Sequence, residues 1–283
     1  MMQKKPEWLR KRIAAGPDST AVEGILKELS LNTVCNEARC PNCAECFAGG
    51  TATLMIMGTR CTRACSFCNV VCGPPERLDP EEPQKVAEAV ARLRLRYAVI
   101  TSVTRDDLPD GGAAHFAATV RAIRGRSPMT AVEALVPDFQ GDMAAAAMVA
   151  DAWPAVISHN IETAKELYGA VRPQADYRRS LRLIEAVKGL NPTIRSKSGF
   201  MLGLGESRAQ VLEMMDDLRG VGCELLAIGQ YLAPSSAHYP VREYIHPDIF
   251  GEYRQIAMDK GFSFVAAGPF VRSSYHAGEA LGR

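Results

Sequence analysis

Apolar and polar positions along this chain fall into two alternating rhythms. Short apolar runs bounded by polar or glycine-rich text recur: TATLMIMG from Thr51, YAVITSV from Tyr97, MTAVEALV from Met129, AVISHN from Ala155, TIRSKSGFMLGLG from Thr193, CELLAIGQYL from Cys223 and FSFVAAGPFV from Phe262. Each predicts a strand. Between them lie stretches with apolar residues at helical spacing. PQKVAEAVARLRLR from Pro83 carries Val86, Val90 and Leu93 at i, i+4 and i+7. GAAHFAATVRAIR, DMAAAAMVA, IETAKELYGAV, RRSLRLIEAVKGL, RAQVLEMMDDLRGVG and PDIFGEYRQIAMDKG follow. Gly222 is placed to cap one helix, Pro247 and Asp248 to start another, and Gly261 to end it.

Alternation repeated about six times predicts a parallel sheet with crossover helices. Several runs are apolar throughout, as strands covered on both faces require. The pattern does not choose between an open doubly wound sheet and an incomplete barrel. Polar residues gather just beyond the strand ends, at 60–68, 104–107, 159–162, 203–206 and Gln230. Parallel α/β folds carry their chemistry at that edge. Residues 1–50 form a polar, cysteine-rich lead-in.

The 283 residues suffice for one large domain or two small ones, and an apolar share of 47% supports a globular core. Lys and Arg number 33 and Asp and Glu 32, a net charge of +1, so nothing calls for nucleic acid or a membrane surface as partner. No apolar run is long enough to span a bilayer, and the N-terminus lacks the apolar stretch of a secretory signal. The expected location is cytoplasmic, or an organellar matrix in a eukaryote. Nine cysteines are present, eight of them between Cys35 and Cys72. That clustering points to metal ligands in a reducing compartment more than to disulfides.

The stretch CTRACSFC places thiols at Cys61, Cys65 and Cys68. A [4Fe–4S] cube has four irons, so three thiolates leave one iron open to a small molecule. Arg60, Thr62, Arg63 and Ser66 around the thiols are not core residues. A zinc ion would want a fourth ligand, which Cys72 could offer. Upstream, CNEARCPNCAEC holds Cys35, Cys40, Cys43 and Cys46, enough thiols to close a second site completely.

CxxxCxxC after a first strand, with Phe67 just before its last cysteine, resembles the cluster loop of the radical S-adenosylmethionine enzymes. The CxxxxCxxxxxC spacing of Cys35, Cys40 and Cys46 resembles more narrowly the lipoyl synthase family. So do TVCNEARCPN, GTATLMIMG, TSVTRDDLPDGG, HNIET, KSGFMLGLGE, GQYLAPSSAHYPV and the RSSY motif from Arg272. The resemblance runs over nearly the whole chain, from Lys5 to Ala277. It implies a partial (β/α)6 TIM-type barrel over residues 51–265. An N-terminal extension (1–50) would carry the auxiliary cysteines, and a C-terminal segment (266–283) the RSSY serine.

The resemblance further implies two [4Fe–4S] clusters. Cys61, Cys65 and Cys68 would hold the one whose open iron binds S-adenosylmethionine. Cys35, Cys40, Cys46 and Ser273, with Ser274 as the alternative serine, would hold an auxiliary cluster that is consumed as sulfur donor, with Arg272 bridging to the barrel mouth. The implied reaction inserts sulfur at C6 and C8 of an octanoyl-lysine, at a cost of two molecules of S-adenosylmethionine. The implied partners are octanoylated lipoyl carrier domains (the glycine cleavage H protein or a 2-oxoacid dehydrogenase acyltransferase), an external electron donor and an iron–sulfur cluster carrier. The N-terminal cysteines and the C-terminal serine should then meet in space.

Other residues carry two readings each. His159, Asn160 and Glu162 are candidates for cofactor contact, or for a helix start capped by Asn160. Lys197 could face a cofactor carboxylate. Arg105 and Asp107 could touch the cofactor or sit in a solvated turn. MLGLGE from Met201 could approach a ligand closely, or form a tight turn with Glu206 and Ser207 capping the next helix. Cys223 reads as a small buried hydrophobe. Trp8 and Leu9 are expected to pack an N-terminal arm on the core, and His276 and Gly278 to Arg283 to form a loosely held tail. The basic run from Lys4 to Arg12 could meet an acidic carrier domain, or be a solvated helix face.

Overall fold

The computed structural model describes residues 5–9, 17–34, 42, 45–46, 50–275 and 277–282. Cys35 and Cys40, two expected auxiliary-cluster ligands, lie outside the described residues, as do Cys43, His276 and most of the basic run from Lys4 to Arg12. Helix α1 (Pro17–Glu28) and strand β1 (Asn32–Thr33) lead into β2 (Thr51–Ile56). A small pair, β3 (Arg60–Cys61) and β4 (Val71–Cys72), brackets the cysteine loop. Then come α2 (Glu82–Arg92), β5 (Tyr97–Ser102), α3 (Ala113–Arg126), β6 (Ala131–Leu135), α4 (Met143–Ala150) and β7 (Val156–Ser158). The chain closes with α5 (Tyr168–Val171), α6 (Tyr177–Leu190), β8 (Arg195–Leu202), α7 (Arg208–Gly220), β9 (Leu225–Gln230), α8 (Pro247–Asp259) and β10 (Phe264–Gly268).

The main sheet runs β1-β2-β5-β6-β7-β8-β9-β10. Every neighbouring pair is parallel except β1 with β2, and the sheet curls into an open half-barrel. Side chains alternate along each strand. In β5, Ala98 and Ile100 pack outward on the helices, while Tyr97 and Val99 face the barrel interior. Two outer cores result, one under α2, α3 and α4 and one under α7 and α8. Local residues set the helix ends, some of them, such as Ser207 and Gly222, at positions expected from the sequence. Asp142 and Asp176 cap α4 and α6, and Ser207 with Gln210 forms a capping box on α7. Gly222 turns left-handed (φ +76°), and the Cys223 N–H bonds back to Leu218 O to end α7.

Two expectations are corrected. The helix expected over IETAKELYGAV does not begin at Ile161. The Glu162 N–H donates to Gly199 O at 3.0 Å and the Met201 N–H to Glu162 O at 2.8 Å, so this stretch bridges to β8 as strand-like backbone. Helical structure starts only with the 3-10 turn Lys165–Leu167 and the short α5. Residues 278–281 of the expected tail are not loosely held either, while His276 and Arg283 lie outside the described residues. The 3-10 turn Ala277–Leu281 buries Ala277 against Tyr97, Val99 and Ala131, the inward-facing residues at the N-terminal ends of β5 and β6. Small side chains let this turn enter the barrel and fill its lower end. At the other terminus, Leu9 is buried and the Trp8 ring meets His246 edge-on at 6.0 Å, anchoring the arm at the start of α8.

Candidate functional site

A cavity of ≈ 830 Å³ opens at the C-terminal ends of the parallel strands. Cys61, Cys65 and Cys68 line one wall, and Arg272, Ser273 and Ser274 line another. The loop between β3 and β4 is fixed by bonds from elsewhere in the fold. The Ala64 N–H donates to Gln174 Oε1 at 2.7 Å, the Ser66 N–H to Val171 O at 3.0 Å, and the Tyr239 N–H to Ser66 O at 2.8 Å. Below it, Gly58 (φ +90°) gives Glu76 room to accept from Thr59, since a Cβ there would stand 2.4 Å from its carboxylate.

The thiols suit iron–sulfur ligation. Cys61 Sγ accepts from the Arg63 and Thr104 N–H groups at 3.4 and 3.3 Å, and Cys68 Sγ from the Val70 N–H at 3.5 Å. Burial raises the Cys65 thiol and pushes Cys68 up to about 11, so each must lose its proton on binding iron. Among the described residues no three His, Cys, Asp or Glu side chains close on a single ion. A cube instead takes one thiolate at each of three irons, and the three thiols stand along one cavity wall. Cys72 pairs with Cys61 across the small sheet, is exposed, and does not line the cavity. Cys223 is fully buried and pushed up to about 12 by that burial, which matches a small core residue.

Arg63 lies under the loop with 6% of its surface exposed. Its guanidinium grips Asp106 through two bonds of 2.6 and 2.8 Å and reaches Asp138 Oδ1 at 2.6 Å. Burial pushes the Asp138 carboxyl up, but Arg63 outweighs it and holds the group below the usual range. Arg105, also buried, forks onto Asp107 with two bonds of 2.8 Å and donates to Met57 O at 3.3 Å. It thereby secures the left-handed Met57 (φ +67°) where β2 delivers the chain to the cysteine loop. These two expected contact residues are engaged with each other in a loop beside the cavity.

The end of β7 contributes His159, Asn160 and Glu162, all lining the cavity. Both His159 nitrogens are engaged: Nδ1 donates to Val136 O at 2.9 Å, and Nε2 meets Ser180 Oγ at 3.0 Å. Burial and the nearby Arg172 charge lower this imidazole to about 4. A depressed histidine takes up its proton first in the unfolded chain, so its contribution is complete above pH 6.5 and falls away towards pH 4. That loss amounts to about 3 kcal/mol. Urea unfolding across this window should show it, and His159→Asn should flatten the slope.

Asn160 Nδ2 donates to Glu162 Oε1 at 3.1 Å, while its Oδ1 is buried without a partner. Burial raises the Glu162 carboxyl, with Arg172 pulling the other way. Arg172 Nη1 bonds Asn160 O, Ile161 O and Tyr168 Oη, and its Nε is buried without a partner at the cavity wall. Sequence reasoning missed Arg172, because nothing in its local spacing marks it. An uncommitted carboxamide oxygen and guanidinium N–H beside a cysteine loop form a cradle for a polar ligand.

Lys197 does not line the cavity. Its Nζ sits 3.0 and 2.9 Å from the two Glu133 oxygens, in a buried group with Tyr97 Oη and Ser158 Oγ. The inward-facing positions of β8 that do line the cavity, Gly199 and Met201, lie further along the strand. Lys197→Met would strand the Glu133 charge in the interior. It should cost about 3–5 kcal/mol in denaturant unfolding, and restoring most of that with Glu133→Leu in the same chain would confirm the cause. MLGLGE takes its turn reading. Glu206 accepts from the Gly203 and Leu204 N–H groups at 2.6 and 2.9 Å, and neither glycine lines the cavity.

The last wall joins the two ends of the chain. Asn42 Nδ2 donates to Phe270 O at 2.6 Å, and Tyr275 Oη to Glu45 Oε1 at 2.8 Å. The turn bearing Cys46 therefore lies against the segment bearing Ser273. Gly229 admits this segment, because a Cβ there would stand 2.2 Å from Val271 O.

The family model of the Radical SAM superfamily matches residues 55–218. Solved structures agree in fold: methylornithine synthase (PylB) at TM-score 0.57 and 12% identity, over 88% of this chain and 85% of that one. Streptococcus suis SuiB bound to S-adenosylmethionine gives TM-score 0.61 at 12% identity, over 88% and 60%. An open parallel half-barrel that feeds a three-cysteine loop into the cavity at its strand ends thus defines the radical S-adenosylmethionine class. Among curated relatives, the lipoyl synthase of Alkaliphilus metalliredigens is 52% identical over 280 residues, 99% of this chain and 97% of that protein. That of Trichlorobacter lovleyi is 56% identical over 277 residues, 98% of each. The chain belongs to the lipoyl synthase family, whose sulfur-insertion chemistry it shares and which implies an iron–sulfur cluster, S-adenosylmethionine, a carrier-bound substrate and an electron donor. No described helix is long and apolar enough to cross a membrane.

Proposed function

We propose that this chain inserts two sulfur atoms, at C6 and C8, into an octanoyl-lysine carried on a lipoyl domain. The glycine cleavage H protein or a 2-oxoacid dehydrogenase acyltransferase would present that lysine. The observation that carries the reading is one cavity bounded by both halves of the required apparatus. Cys61, Cys65 and Cys68 form one wall, and the RSSY serines form another, beside the turn that bears Cys46. In this reading Cys61, Cys65 and Cys68 hold one [4Fe–4S] cluster, and Cys35, Cys40, Cys46 and Ser273 a second. An iron–sulfur carrier rebuilds the second after turnover. When bound, the first cluster would pass on electrons from an external donor, two molecules of S-adenosylmethionine would supply the hydrogen-abstracting radicals, and the second cluster would supply the sulfur.

The protein supplies position and dryness. Asn160 Oδ1 and Arg172 Nε offer one acceptor and one donor toward S-adenosylmethionine, and Glu162 adds a carboxylate. Phe67, packed with Val171, Leu204 and Tyr231, closes the wall beside Cys68. Val34, Met55, Val103, Leu135 and Val271 give the cavity an apolar face for an alkyl chain, which excludes water from a reactive centre. Arg272 lies beside Gly229, donates to Val271 O at 2.7 Å and lines the cavity next to Ser273.

The test counts iron and acid-labile sulfide on anaerobically isolated protein. About eight of each per chain should fall to about four in a Cys35/Cys40/Cys46→Ala variant, with lipoyl product lost from an octanoylated carrier domain. Four or fewer in the unaltered chain after full reconstitution would overturn the two-cluster reading.

A further inference from the structure

Arg63 brings a permanent positive charge into the cysteine loop, between Cys61 and Cys65 and at the wall of the same cavity. It is held by two carboxylates from two different strand ends. Asp106, on the loop after β5, is partly exposed, and Asp138, on the loop after β6, has no exposed surface. Asp138 also faces Arg179 of α6, whose Nε stands 3.2 Å from its second oxygen. Four charges thus lie beside the loop, two of each sign; Arg63 and Asp138 are buried, where water screens them least, and Asp106 and Arg179 are partly exposed.

The arrangement exceeds what shaping the loop requires. Backbone bonds to Gln174, Val171 and Thr104 already fix its course. Three N–H groups aimed at the thiol sulfurs, and one guanidinium nearby, all favour added negative charge on whatever the sulfurs hold. Net charge and hydrogen bonds to sulfur set a cluster's reduction potential. An uncompensated Arg63 would push that potential upward, away from the strongly reducing range that cleavage of a carbon–sulfur bond demands.

We infer that the Arg63–Asp106–Asp138 clamp is a positioning and charge-balancing device. Arg63 ties the cysteine loop to two strand ends, and the two aspartates cancel its field at the cluster. This rests on the reading that Cys61, Cys65 and Cys68 hold an iron–sulfur cluster. Asp138→Asn keeps the shape and removes one negative charge. Arg63→Gln removes the positive charge. Neither residue is required as a ligand.

The measurement is an anaerobic redox titration of the reconstituted holoenzyme, followed by electron paramagnetic resonance. The relevant cluster is the one whose signal changes when S-adenosylmethionine is added. Asp138→Asn should move its midpoint to more positive potential and Arg63→Gln to more negative. The double variant should return towards the unaltered value. Arg63→Lys keeps the charge but loses the fork, so it should hold the midpoint and lose iron several-fold faster to a chelator. Asp106→Asn, at a more exposed site, should shift in the same direction as Asp138→Asn by less, and serves if the buried variant fails to fold. Midpoints that stay put, or that move the same way in Asp138→Asn and Arg63→Gln, would overturn the inference. A purely structural clamp would speed iron loss in every variant without splitting the midpoints by sign. Absence of any signal responsive to S-adenosylmethionine in the unaltered enzyme would instead overturn the cluster assignment itself.

Discussion

Cys65→Ala is expected to abolish S-adenosylmethionine cleavage and lipoyl formation while leaving the fold intact. Cys65 occupies the middle of a loop whose backbone is held by Gln174, Val171 and Tyr239, none of which bonds its thiol. Removing the sulfur therefore deletes a ligand without releasing the loop. A cube left with two thiolates loses its anchorage, and the chain should retain about four irons per molecule, those of the second cluster. The contrast with the triple variant at Cys35, Cys40 and Cys46 is informative. Both fall to about half the iron, but only the N-terminal variant should still cleave S-adenosylmethionine. Full iron content together with retained cleavage in Cys65→Ala would refute the assignment of this loop. Unchanged circular dichroism in both variants would exclude unfolding as the cause.

Gly229→Ala should have the second largest effect. Gly229 is the fifth residue of β9, and its missing Cβ is the space in which the Val271 carbonyl lies. An added methyl would meet backbone at 2.2 and 3.2 Å, atoms that cannot rotate away. The C-terminal segment must lift, and Ser273 goes with it. Overpacking of this kind costs about 1–3 kcal/mol. A misplaced reacting group costs about 10²-fold in turnover. We expect sulfur insertion to fall by roughly that factor while S-adenosylmethionine cleavage persists, because the cysteine loop stands on other elements. Faster proteolysis after β10 would report the displaced segment. Unaltered sulfur insertion in Gly229→Ala would mean that the serine's position is not set by this crossing.

Both expectations start from features of different visibility. CxxxCxxC announces itself, because a cluster loop needs its ligands close in sequence. Gly229 does not. It reads as an ordinary glycine in an apolar strand, and only the return of residues 268–275 across the barrel gives it a role. Asp138 and Gln174 are equally silent in the sequence, since each acts on a residue 75 or 110 positions away, and Arg172, which bonds Asn160 O 12 positions back, carries no local mark either. Lys197 shows the converse. Its place on a strand suggested a ligand contact, but one turn of the pleat decides whether a side chain meets the cavity or the polar group beneath it.

The sequence by itself determined the order and type of most elements, several of their ends and the close spacing of the three thiols at Cys61, Cys65 and Cys68. Those follow from local periodicity, from side chains bonding their own helix ends, and from thiols a few residues apart. Tertiary structure alone decided two things and supplied the contacts for a third. The stretch after β7 is strand-like because its backbone bonds to β8 outweigh helix propensity. The C-terminal turn is buried because its small residues fit between Tyr97, Val99 and Ala131. The meeting of residues 42–45 with the C-terminal segment, which the resemblance implied, is made by Asn42 on Phe270 and by Tyr275 on Glu45. Each is a contact between residues far apart in the chain, and no local pattern encodes the distance that folding removes.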